Sequence, residues 1–162
     1  MSTLCSPTGL KTFQNTKSSN STIHKSGSVT FVGAPANRCL VPFTSFCEYA
    51  DTKPRKTPTW FALNDDRPLA VFAGIWTTWH GRRGTKANPV EGEHQLFGFL
   101  TCDANSEVGA IHPKAMPVIL TTDSEIEQWM TAPAEQALEL QRPLPDGTLK
   151  IAATGEKKDE AA

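Results

Sequence analysis

The opening residues offer little to a core. The stretch 15–28 (NTKSSNSTIHKSGS) is almost wholly polar, and residues 1–30 as a whole predict a poorly ordered segment. From Arg38 the pattern changes. Residues 38–43 (RCLVPF) predict a buried strand, and 45–50 (SFCEYA) its continuation or a paired strand. A basic, turn-rich loop at 51–58 follows. Then come a strand at 59–63, a turn at 64–68 and a long strand at 69–79. Strand, turn and strand in this order predict an antiparallel meander. Residues 80–93 (HGRRGTKANPVEGE) predict a long loop, and 94–104 the next strand. The glycine inside that strand, Gly98, suggests a bulge or a close backbone approach.

Further on, Pro113 and Pro117 exclude a helix over 111–120, which therefore predicts a loop entering a strand. Thr122 and Glu125 have capping-box spacing and predict a helix to about Met130, with Ile126, Trp129 and Met130 facing inward. A second short helix is expected over 133–140, with Pro133 in its first turn. A last strand is expected over 147–154, before a charged tail at 155–162. The fold class is α+β, mainly antiparallel sheet with two short C-terminal helices. The domain proper spans 31–154.

Composition narrows the picture only slightly. A chain of 162 residues can enclose one ordinary core. Sixteen Lys and Arg against seventeen Asp and Glu give a net charge of −1, which neither favours nor excludes nucleic acid. No apolar run reaches membrane-spanning length, and the N-terminus lacks the pattern of a secretory signal, so a cytoplasmic protein is expected. Cys5, Cys39, Cys47 and Cys102 form no C-x-x-C pair and no zinc-like spacing. Reduced thiols are expected, with no metal and no cofactor.

Two residues are candidates for chemistry. In an alternating strand Glu48 shares a face with Phe46, opposite Cys47 and Tyr49. If that face points inward, the carboxyl is partly desolvated, its pKa rises, and it can act as a general acid or base. Otherwise Glu48 is an ordinary carboxylate at a strand end. His112, held by the following proline just before an apolar strand, can donate or accept a proton. It can equally be a surface-loop histidine. A thiol–imidazole pair of Cys47 or Cys102 with His112 has no local signature to support it. Lys53, Arg55 and Lys56, and again Arg82, Arg83 and Lys86, lie near Trp60, Trp76 and Trp79. Basic loops beside aromatic strands suit phosphate contact and base stacking, or are simply solvated.

Taken together, Arg38-Cys39-Leu40-Val41-Pro42 with Phe46, Glu48 and Tyr49, then "AGIW", then His112, Lys114, Met116 and Pro117 before a capped helix, resemble the SRAP family (SOS response-associated peptidase domains). The resemblance covers about residues 37–154. It implies a barrel-like, mainly antiparallel fold and an abasic site processing protein acting on single-stranded DNA. In that family a cysteine freed by loss of the initiator Met closes a thiazolidine with the opened sugar, which crosslinks protein to DNA. Glu48 then matches an acid–base residue that also serves self-processing, and His112 one that opens the sugar ring. Arg38, Lys114, Arg55, Arg82 and Arg83 become expected DNA contacts.

The sequence departs from the family pattern in several places. It opens Met1-Ser2, and a serine hydroxyl cannot close a thiazolidine; the nitrogen of Cys5 is an amide. Thr12, Phe13 and Gln14 stand where the family has a sugar-binding Asn and, two residues on, an Arg. Ser45, Cys47, Tyr49 and Lys114 replace Gly, Tyr, Trp and Arg. The expectation is a domain incomplete at its N-terminus. Its activity is either the family's covalent one or that of a non-catalytic single-strand-binding remnant. A cysteine hydrolase using Cys47 and His112 is a third reading.

Overall fold

The computed structural model describes residues 34–156; the expectations for residues 1–30, and most of those for 155–162, lie outside that range. A single 3-10 turn at Pro35–Asn37 leads into strand β1, Arg38–Phe43. The predicted strands follow as β2 (Phe46–Ala50), β3 (Thr57–Ala62), β4 (Ala70–Gly84), β5 (Pro89–Phe99), β6 (Thr101–Cys102), β7 (Met116–Pro117), β8 (Ile119–Leu120) and β9 (Lys150–Thr154). Among the described residues three helices interrupt them: α1 (Ser106–Gly109), α2 (Asp123–Thr131) and α3 (Ala134–Leu138). The α+β, mainly antiparallel architecture is as the sequence predicts. Every pairing among the described strands is antiparallel.

One sheet has the order β1-β4-β5, with β8 also pairing β4; a second has the order β2-β3-β9; β6 and β7 form a small third pair. Among the described residues these sheets stay open and do not close into a barrel. The step from β1 to β2 is thus not a continuation. The chain leaves the first sheet at Phe43 and enters the second at Phe46.

Phenylalanines join the two sheets. Phe43 stacks on Phe72 at 4.1 Å within the first sheet, and Phe46 on Phe61 at 5.5 Å within the second. Phe46 meets both Phe43 and Phe72 edge-on at 5.7 Å. Such pairs contribute about 0.5–1.5 kcal/mol each beyond the area they bury. They fix β2, and hence Glu48, relative to the first sheet.

The expected loop at 80–93 is a correction. β4 runs on to Gly84 and β5 begins at Pro89, so these residues form the outer half of a long hairpin. Gly84 takes φ 87°, in the left-handed region a side chain disfavours, and Asn88 N donates to Thr85 Oγ1 across the turn. Arg82 stands opposite Glu91 and His80 opposite Glu93, so cross-strand charge pairs replace apolar ones. With polar residues on both faces, alternation gave no signal.

Gly98 makes neither a bulge nor a close approach. It pairs in register with Ile75, and a Cβ there would meet nothing. The close approach lies at Gly74, where a Cβ would stand 2.7 Å from Cys39 Sγ and 2.9 Å from Cys39 O. Helix α1 was not foreseen.

The C-terminal elements follow expectation. Thr122 Oγ1 accepts from Glu125 N, and Glu125 Oε2 accepts from Thr122 N, which completes the capping box. Trp129 is fully buried and its Nε1 donates to Cys39 O at 3.1 Å, tying α2 to β1.

Candidate acid–base site

Glu48 lies in the middle of β2, opposite Thr59 of β3, which is itself buried. Strand alternation puts the Glu48 side chain on the same face as buried Phe46 and away from Cys47 and exposed Tyr49. Its side chain is 24% exposed, and burial pushes its carboxyl up to about 7. The inward alternative is therefore the one the fold adopts.

His112 arrives from a different part of the chain. Asn105 caps α1 by accepting from Val108 N, and Ser106 N donates to Asp146. Val108 is completely buried, and its carbonyl accepts from both Ile111 N and His112 N, the latter at 2.7 Å. Pro113 then directs the chain away. The backbone of His112 is thus pinned to a one-turn helix rooted in the core. Its Nδ1 lies 4.0 Å from Glu48 Oε2.

At that separation the two groups look like an ion pair, but the shifts point the other way. Burial lowers the imidazole, with Lys114 and then Lys56 adding to the effect, while burial raises the carboxyl. Each group is moved toward its neutral form. Desolvation outweighs mutual attraction here, so near neutral pH the pair is an uncharged imidazole beside a carboxyl that readily gains or loses a proton. The 4.0 Å gap also exceeds hydrogen-bonding distance.

Lys114 and then Lys56 act electrostatically on His112, so positive charge from the segment after His112 and from the 51–56 loop is felt at this site. Lys56 also approaches Asp51 at 3.9 Å across an exposed loop. Arg55 in that loop is exposed. Arg82 and Arg83 lie on the outer half of the β4–β5 hairpin, exposed and partly exposed respectively.

Arg38 is placed differently from expectation. It is 3% exposed, its Nη1 donates at 2.7 Å to both Trp129 O and Ala132 O, and its guanidinium lies over the Trp129 ring. A cation at the carbonyl end of α2 offsets the negative end of the helix dipole. Arg38 thus fastens α2 to β1, and a DNA contact is corrected to a structural role for want of an accessible guanidinium. The thiol–imidazole reading also fares poorly, because His112 meets the Glu48 face of β2 and Cys47 occupies the other. Among the described residues no three His, Cys, Asp or Glu side chains gather to hold a metal ion, and no helix is long and apolar enough to cross a membrane.

The sequence reading passed over Asn105. It is buried, its Oδ1 caps the helix that positions His112, and its Nδ2 has no partner among the described residues. An Asn ahead of "SEVG" was the available cap signal.

A family model described as SOS response associated peptidase (SRAP) matches residues 13–157. A solved structure of a protein from Bacteroides thetaiotaomicron is similar, with a TM-score of 0.57 and 25% identity over 76% of this chain and 54% of the other. A protein from Bordetella bronchiseptica matches with a TM-score of 0.56 and 22% identity, over 78% of this chain and 56% of that one. The chain spans about half the length of these solved structures. No curated protein matches it.

Proposed function

The chain belongs to the SRAP family, and on that premise we propose that it senses abasic sites in single-stranded DNA, with Glu48 and His112 moving protons at the damaged sugar. The observation that carries this reading is the Glu48–His112 juxtaposition at 4.0 Å, with both groups shifted toward their neutral forms.

An abasic deoxyribose exists mainly as a closed hemiacetal. Opening it to the aldehyde takes one proton from the anomeric hydroxyl and delivers one to the ring oxygen. A neutral imidazole can do the first, and a carboxyl that holds its proton near pH 7 can do the second. A sugar oxygen lying between the two side chains would meet both. Lys56 and Lys114 supply positive charge for flanking phosphates, where a lysine acts as a point charge without bidentate geometry. Arg55, Arg82 and Arg83 would extend that contact along the strand. Covalent capture and peptidase-like self-processing are the family's further steps; residue 2 here is Ser, so the thiazolidine step is not assigned to this chain and the pair's proposed role is sugar opening.

A gel assay tests this. Single-stranded DNA with one abasic site is compared with the intact strand, first natively and then after boiling in denaturant. Preferential native binding that weakens with salt is expected. A shift that survives boiling reports covalent capture. Equal binding to both strands, unaffected by Glu48→Gln, would favour a plain single-strand-binding module instead.

A further inference from the structure

The outer half of the β4–β5 hairpin has two unlike faces. On one, His80 stands opposite Glu93 and Arg82 opposite Glu91. On the other, Trp79 stands opposite His94, Gly81 opposite Gly92 and Arg83 opposite Val90. Glu91 and Glu93 are the only acidic residues between Trp76 and Phe97, and both belong to the first face. Arg83 therefore has no carboxylate of the hairpin on its side.

Trp79 is seated firmly on that second face. A Cβ on Gly81 would stand 2.5 Å from Trp79 Cζ2 and 3.0 Å from Cζ3, so the indole lies over backbone that only glycine leaves clear. The ring stacks on His94 at 5.9 Å with the planes 29° apart. His94 Nε2 in turn donates to Gly81 O at 3.0 Å and to Val90 O at 3.3 Å, which fixes the imidazole. Trp79 still remains 38% exposed. An aromatic surface already held in place accepts another ring without further ordering of side chains. Arg83 lies four residues along the same face, about 13 Å by strand rise. An apolar partner would leave its charge unanswered, whereas a polyanion answers it. A fixed aromatic surface followed by a cation suits a base and a phosphate of one single strand.

We propose that Trp79, backed by His94, stacks a base of single-stranded DNA, and that Arg83 holds a phosphate of the same strand. The identity of the polymer rests on the function proposed above. The stacking itself needs no abasic sugar: it takes intact nucleotides and tolerates any base.

The test uses the full chain and two labelled strands of equal length and charge, read by fluorescence anisotropy. One is an intact thymidine strand; the other is a propanediol-phosphate strand with neither base nor sugar. Trp79→Ala is expected to weaken binding of the thymidine strand by about 5- to 150-fold and to leave the base-free strand unchanged. Equal affinity of Trp79→Ala and the native chain for the thymidine strand overturns the proposal. So does equal weakening on both strands, or a native chain that does not bind the thymidine strand. Should Trp79→Ala fail to fold, Trp79→Leu keeps an apolar side chain over Gly81, removes the aromatic face and is read by the same outcomes. Neither strand carries an abasic sugar. A failure here therefore leaves the Glu48–His112 reading standing, and loss of abasic preference in the gel assay leaves this one standing.

Discussion

The molecule holds two histidine–glutamate pairs of similar spacing and opposite character. His112 and Glu48 stand 4.0 Å apart with side chains 36% and 24% exposed, joined from segments far apart in sequence. His80 and Glu93 stand 3.5 Å apart as cross-strand neighbours on the outer hairpin, 74% and 57% exposed. The closer pair is the less consequential one. In water, two such charges are screened and their contact contributes little. At the Glu48 site, burial removes the water that would stabilise either charge, and proton affinity changes as a result. Distance alone does not set the proton affinity of a pair; the dielectric surroundings do.

The largest expected effect falls on activity. If Glu48 moves protons at the abasic sugar, Glu48→Gln lowers sugar opening by roughly 100- to 10,000-fold, and His112→Asn does similar damage. Glu93→Gln and His80→Asn leave it unchanged, as paired assays on one abasic oligonucleotide will read. Next comes the scaffold. Arg38→Met removes two hydrogen bonds to the carbonyl end of α2 and should cost about 2–4 kcal/mol by denaturant melts.

The third effect is one of stability and has a defined sign. A folded carboxyl at about 7 binds its proton more tightly than the unfolded one at its ordinary 4.5. Stability therefore falls as pH rises from 4.5 to 7, and above 7 the ionised Glu48 costs roughly 3 kcal/mol. Glu48→Gln is thus expected to melt higher than the native protein at pH 8, with the difference vanishing near pH 4, while losing activity. His112 opposes this in part. Its lowered pKa removes stability as pH falls below about 6.5. Smallest of all, removing the His80–Glu93 contact should change stability by no more than about 0.5 kcal/mol.

Much of this was legible in the sequence, and the failures have physical causes. β1, β3 and α2 follow from apolar runs and a capping box, because local signals and burial agree there. The hairpin arm was read as a loop because its stability comes from cross-strand pairs such as Arg82 with Glu91, which only register reveals. Helix α1 was too short for a periodic pattern. Glu48's inward face was one of two open alternatives. What decides it is the Phe46 contact with phenylalanines of both sheets, a tertiary fact. Arg38 shows the converse error. An arginine beside an apolar run can be the capping charge of a distant helix, and nothing within residues 38–43 says so.

The central claim is that Glu48 keeps its proton near neutral pH because the fold buries it beside a neutral His112. Carbon-13 NMR titration of the Glu48 side-chain carboxyl, with His112 followed in the same sample, tests it most directly. The expected result is a Glu48 midpoint near 7 and a His112 midpoint below 6.5. A Glu48 midpoint near 4.5 with His112 above 6.5 would make the pair an ordinary ion pair and would contradict the account.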